Sequence, residues 1–320
     1  MKLNFVTYFD SNYLSRGLTL YDSLEKNCPE YHIYIFAFDD DSYEKLESLR
    51  LEHASIISLN ELEDAELLRI KSQRTRAEYC WSSTPKVIQY VLNNYNVDMC
   101  IYIDSDIFFF NNPEYLLDEM GPNDSAGITA HRYSEQNDYT DMAGKYNVQF
   151  LPFKNTDNSR KILNWWNERC MENCSIDLEA GVYGDQKYLD RWQELFEGVN
   201  ALENIGGGVA PWNVDSYSIK KKSEELFVYE KSTGKQEKLV FYHFHNIKFF
   251  DKGVVNIGDD GYYFPDTAIS YIYKTYIRAH VRTREKYNLD SKWTNQQHFR
   301  DDDIDHLVHS RYYFLMDMFL

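Results

Sequence analysis

The chain has 320 residues, with 34 Lys and Arg against 51 Asp and Glu, a formal net charge of −17. That acidity excludes the basic footprint of a nucleic-acid binder, and 43% apolar residues exclude a disordered chain. Aromatic residues reach 16%, enough to pack a core and still offer ring faces to sugars or bases. In chain order, Leu3 to Phe9 reads as a buried strand. Asp10-Ser11-Asn12 then forms a natural helix cap before Leu14, Leu18, Tyr21 and Leu24, which follow helical spacing. His32 to Phe38 predicts a second strand, ended by Asp39-Asp40-Asp41, and Ala54 to Leu59 a third. Glu78 to Tyr95 predicts a helix with Pro85 inside it, kinked or starting late.

Met99 to Ile103 is a strongly apolar strand that runs into Asp104-Ser105-Asp106 and then Ile107 to Phe110. Strands alternating with helices imply an α/β fold, a mostly parallel sheet flanked by helices. Asn147 to Phe153 reads as a further strand, Ser159 to Cys174 and Asp185 to Phe196 as helices, and Leu239 to His245 as the last core strand. Past about residue 255 the texture changes. Tyr271 to Tyr287 carries Lys274, Arg278, Arg282, Arg284 and Lys286 against Glu285, a local +4. We therefore divide the chain into a domain over 1–255 and a C-terminal helical extension over 256–320.

The opening MKLNFVTYFDS has no long apolar run, and no stretch approaches 18 consecutive apolar residues, so a cytoplasmic protein without a spanning helix is expected. The five cysteines are odd in number and scattered, which fits free thiols in a reducing compartment.

Ligands in open parallel sheets bind outside the carboxyl ends of the strands. Asp104 and Asp106 end the most apolar strand, and at a spacing of two their side chains point the same way. Paired carboxylates at a core edge are costly unless neutralised, and a divalent cation could neutralise them and bridge a diphosphate. The spacing alone is weak evidence, because Asp-x-Asp recurs at 39–41, 301–303 and 303–305. Phe241 to Asn246 adds His243 and His245 on one strand face, with Lys248 just after, which suits a metal and phosphate corner. Arg69, Lys71, Arg74 and Arg76 form a basic stretch that could hold a diphosphate or simply be a solvated loop. Gly206-Gly207-Gly208 lacks the Lys and Ser/Thr of a P-loop, the first turn lacks a dinucleotide glycine pattern, and no Gly-x-Ser-x-Gly elbow occurs.

The run 78–114, together with VTYFDSNY, KYNVQFLPF, GVYGDQKYLD, GGGVAPWN and FYHFHN in this order, resembles the GT-A fold nucleotide-diphospho-sugar transferases, close to glycosyltransferase family 8. The resemblance spans about residues 1–250 and implies a Rossmann-like GT-A sheet. It implies that Thr7 and Asp10 lie near the donor base, that Tyr13 stacks on it, and that Lys86 and Lys248 meet the phosphates or sugar. Asp104 and Asp106, with Ser105 between them on the donor, would hold Mn2+ or Mg2+, with His243 as third ligand and His245 as its competitor. Asn147 matches the position whose amide contacts the donor sugar, and Asp185-Gln186 the acidic-amide pair beside the anomeric carbon.

The function so implied is metal-dependent transfer of a sugar, with retention, from a nucleoside-diphosphate donor (UDP by resemblance) to a glycan or lipid-linked acceptor in surface polysaccharide or lipopolysaccharide assembly. A catalytically silent carbohydrate-binding protein on the same fold is the alternative. A sugar nucleotidyltransferase would carry a glycine-rich, Arg-containing loop after the first strand, which this chain lacks. Trp212 reads either as a rim for the acceptor or as a loop anchor. The basic extension reads as a peripheral contact with an anionic inner membrane face, as a homodimer contact, or as a helix packed back on the domain.

Overall fold

Strict alternation along the first strands decides which side chains go to which face of the sheet. In the computed structural model, which describes residues 2–258, 261–299 and 312–319, β1 (Leu3–Phe9) turns Leu3, Phe5 and Phe9 to one face and Val6 to the other. Asp10 caps a short turn with its carboxylate, and α1 (Leu14–Asn27) follows, burying Leu14, Leu18 and Leu24 on the first face. β2 (Tyr31–Ala37) continues the pattern, with Ile33 and Ile35 against Tyr34 and Phe36. α2 (Asp40–Leu49) and β3 (Ala54–Ser58) lead to α3 (Arg76–Asn94), which a Thr75–Glu78 capping box starts and Pro85 does not break. β4 (Met99–Ile103) sends Ile101 and Ile103 to the α1 side and Cys100 and Tyr102 to the α3 side.

β5 (Ile107–Phe109), β6 (Ala126–Ala130) and β7 (Phe150–Lys154) precede α4 (Asp157–Glu172), which lays Ile162 and Trp166 beside Val87 and Val91 of α3. With β8 (Val199–Leu202), the central sheet runs β8-β6-β7-β4-β1-β2-β3, and Tyr146–Asn147 pairs on β6 as an eighth strand. Along that path β7 is antiparallel to both neighbours and every other pairing is parallel, so the expectation of a mostly parallel sheet covered by helices is met.

Several boundaries differ. The strand expected over 147–153 is two strands, since Tyr146–Asn147 pairs with β6 while Phe150–Lys154 crosses to β4. The helix expected over 185–196 is a 3-10 turn, Lys187–Arg191, followed by Trp192–Leu195, and Asp185 lies ahead of it rather than capping it. The last core strand shortens to β9 (Phe241–His243), and a three-stranded antiparallel sheet over Tyr217–Lys222, Glu225–Glu230 and Gln236–Lys238 was not foreseen. All five cysteines are free thiols.

The basic extension packs back on the domain. A helical run from Asp266 ends in α5 (Lys274–Lys286), and Ile272, Tyr273, Tyr276 and Ile277 bury in one cluster with Phe108, Tyr242 and Phe244. Asp22 of α1 accepts hydrogen bonds from Thr283 Oγ1 (2.6 Å), Lys286 Nζ (2.6 Å) and Tyr287 OH (2.8 Å). Hydrophobic packing thus runs straight across residue 255. Among the described residues no helix is long and apolar enough to cross a membrane. The Asp-x-Asp spacings at 301–305 lie outside the described residues.

Candidate active site

β4 ends at Ile103, and the chain turns over Asp104-Ser105-Asp106 into β5. That strand pairs antiparallel with β9, so His243 stands opposite Ile107, and Phe244 N donates to Asp106 O at 2.9 Å. The glycine loop fixes β9 from its other side. Val240 N donates to Gly206 O at 2.8 Å and His243 N to Val209 O at 2.9 Å. A Cβ on Gly206 would lie 1.9 Å from Lys238 O, so the approach requires glycine. These pairings bring His243 Nε2 to 3.1 Å from Asp106 Oδ1 and 3.9 Å from Asp104 Oδ2.

The three side chains offer ligand atoms that all lie within 4.8 Å of one another. Two carboxylate oxygens and one imidazole nitrogen suit a hard or borderline divalent cation such as Mn2+ or Mg2+. Fully buried Gln149 places Oε1 3.0 Å from His243 Nδ1, so an Nδ1–H can donate to it and turn the Nε2 lone pair toward the carboxylates. Burial pushes the Asp104 carboxyl up to about 6 against the opposing pull of His243. Burial would raise Asp106 too, but the charge and hydrogen bond of His243 outweigh it and hold it at about 2. The residues present therefore fit the cation that the resemblance implies.

A cleft of about 830 Å³ opens beside this cluster. Asp10, Tyr13, Arg76 and Ser105 line it. Asp10 Oδ1 accepts from Asn12 N (3.0 Å) and Tyr13 N (3.3 Å), and its Oδ2 from Arg76 Nε (3.0 Å) and Nη2 (2.8 Å). Tyr13 is 40% exposed and offers its ring to the cleft. Asp185, Gln186 and Asn147 also line it. Asn147 Nδ2 donates to His131 Nε2 (2.9 Å) and Gln186 Oε1 (3.2 Å), while Gln186 Nε2 donates to Ala143 O (2.9 Å). Asp185 is 3% exposed with Oδ2 unpartnered, and burial pushes its carboxyl up to about 7, Thr84 opposing and Asp104 adding to the rise.

Three expected donor contacts stand elsewhere. Thr7 is fully buried beneath the cleft, and Lys248 begins a short strand, Lys248–Phe249, outside its lining. Lys86 Nζ pairs with Asp64 and, at 2.9 Å, with Glu66, so its charge is met by two acids at the start of the short helix Ala65–Lys71. Of the basic stretch, Arg76 alone reaches the cleft, while Arg74 donates to Cys170 O (2.6 Å) and Met171 O (2.8 Å) and ties α3 to α4. Asp39 caps α2 and accepts from Ser11 N at 3.0 Å, and Asp41 pairs with Lys292 at 2.8 Å, so that Asp-x-Asp serves the fold. Trp212, 4% exposed, anchors its loop by donating Nε1 to His131 O at 3.0 Å, sets its ring edge-on to His243 and His245, and also lines the cleft. His245 lines the cleft but stands outside the three-ligand cluster. Gln149, His131 and Arg76 were missed as site residues; only Arg76 had a sequence signal, its place in the basic stretch.

No protein-family model matches the chain. It is 32% identical over 245 residues to the uncharacterized protein YfnD of Bacillus subtilis, covering 75% of this chain and 76% of that one. It is 31% identical over 248 residues to YfnF of the same organism, covering 75% and 80%. Among solved structures, the galactosyltransferase LgtC, crystallised with donor and acceptor sugar analogues, superposes with a TM-score of 0.56 at 13% identity, covering 88% of this chain and 96% of LgtC. The chain belongs to the family of YfnD and YfnF, and its fold is that of the GT-A glycosyltransferases.

Proposed function

We propose that this protein is a metal-dependent glycosyltransferase that takes a sugar from a nucleoside-diphosphate donor and transfers it, with retention, to a glycan or lipid-linked acceptor. The observation that carries this reading is the convergence of Asp104, Asp106 and His243 at the strand ends of a GT-A sheet, on one cleft with Tyr13 and Asp185. A divalent cation bound there supplies positive charge where the departing nucleoside diphosphate develops negative charge. The chain does the rest. Tyr13 gives a stacking face and Asp10 with Arg76 gives polar edges for a base, which the family resemblance makes uracil. Asn147 and Gln186, held by His131 and Ala143 O, form a rigid polar wall of the cleft on the side assigned to the donor sugar, so that little reorganisation remains there at the moment of transfer. Asp185, with a carboxyl near neutrality, can keep or yield a proton beside a sugar hydroxyl.

The test is a thermal-shift panel of UDP-, GDP- and dTDP-sugars, each with and without Mn2+. A donor that stabilises the protein by several degrees only when Mn2+ is present supports the proposal. Equal melting temperatures across the panel would contradict it.

A further inference from the structure

Arg16 is a buried cation that the site described above does not use. It lies on α1, one turn past Tyr13, and is only 4% exposed. Among the described residues no carboxylate stands within ion-pair distance of it. Its guanidinium donates instead to two carbonyls that are far away in sequence, Thr294 O through Nη1 (3.2 Å) and Ile247 O through Nη2 (3.1 Å). It also lies over the Tyr13 ring, 4.6 Å from the centroid, and 5.4 Å from the centroid of Phe249. Burying a guanidinium without an anion is costly, and two carbonyls and two ring faces offset that cost only in part. A planar guanidinium suits this arrangement, because it can stack on a ring while its edge donates in fixed directions.

We infer that Arg16 is a positioning residue of the donor site, clamping the Tyr13 ring in its stacking attitude and tying that attitude to the C-terminal backbone at Ile247 and Thr294. Tyr13 is 40% exposed, Asp10 accepts from its backbone N–H, and the Arg16 guanidinium lies over its ring. This inference rests on the donor reading proposed above.

The experiment is a double-mutant cycle on the full chain with Arg16→Met, Tyr13→Leu and the pair. It reads the affinity of UDP with saturating MnCl2 by calorimetry, together with Mn2+ affinity in the absence of nucleotide. Each single variant is expected to weaken UDP binding by about fivefold, the scale of one cation–π contact, and the double variant by no more than the worse single. Mn2+ affinity without nucleotide should stay at the wild-type value, which a general loosening of the fold would not allow. Arg16→Lys keeps the charge but not the planar stack, so it should bind UDP as weakly as Arg16→Met, and it serves as the test if the Met variant does not fold. Multiplying losses in the double variant, or wild-type affinity in both Arg16 variants, would overturn the inference and leave the donor reading intact. If wild type binds none of UDP, GDP and dTDP with Mn2+, the donor reading and this inference fall together.

Discussion

Asp185 combines near-complete burial with an unpartnered Oδ2, an arrangement that stability alone would not select. Burial raises its folded carboxyl from 3.8 to about 7, so the unfolded chain ionises this group first as pH rises. Its contribution to folding is therefore neutral below about pH 4, becomes increasingly unfavourable up to about pH 7, and levels off above. Asp185→Asn should remove that penalty. The variant is expected to be more stable than wild type by about 2 kcal/mol at pH 8 and no more stable at pH 4, while donor turnover falls. Urea unfolding at the two pH values checks the sign, and a variant less stable at pH 8 would refute it. At this scale the pairing of Asp104 and Asp106 was legible in the sequence, because a strand end at Ile103 and a period of two are enough to align them. Gln149 was not legible, since its reach to His243 depends on a break between two strands that read as one run. Lys86 was misplaced because sequence spacing does not show that Asp64 and Glu66 stand ready to take its charge.

Elements with strong periodicity were read well. β1, α1, β2, α3 and β4 follow from apolar alternation or 3.6-residue spacing, and each pairs or packs where the pattern directs. The errors fall where tertiary pairing overrides local pattern. The run from Leu239 to His245 is apolar enough for a longer strand, yet Val240 and Phe241 give their N–H groups to Gly206 O rather than to β5. The glycine loop is thus the part that sets the register of β9 and with it the place of His243. Gly206→Ala puts a methyl group against Lys238 O, a backbone atom that cannot rotate away. We expect this variant to lose about 2 kcal/mol of stability and to bind Mn2+ more weakly. Gly261→Ala, whose nearest neighbour would be the Tyr139 hydroxyl at 3.6 Å, should match wild type on both counts. Thermal melts and Mn2+ titrations of the two variants decide between a register-setting loop and a passive one.

Across the whole molecule, the charge of −17 is distributed by use. Asp39, Asp41, Asp64 and Glu66 cap helices or pair with lysines, whereas Asp104, Asp106 and Asp185 converge on the cleft. Of the bases held apart in sequence, Arg76 meets the cleft directly and Lys286 secures α5 to Asp22. Ile272, Tyr273, Tyr276 and Ile277 of the extension are buried in the core, while Tyr263, Leu315 and Met318 stay exposed. The fold class was legible from the alternation of strands and helices; the seamless packing of the extension was not, because a basic amphipathic helix reads alike whether it meets lipid or its own domain. The most direct test of the account is hydrolysis or transfer of the donor found in the thermal-shift panel, measured with Mn2+ for wild type, Asp104→Asn and Asp106→Asn. The account predicts Mn2+-dependent turnover in wild type and a loss of at least about a hundredfold in each variant, the scale of a few kcal/mol of charge stabilisation. Turnover and Mn2+ dependence unchanged in both variants would contradict it.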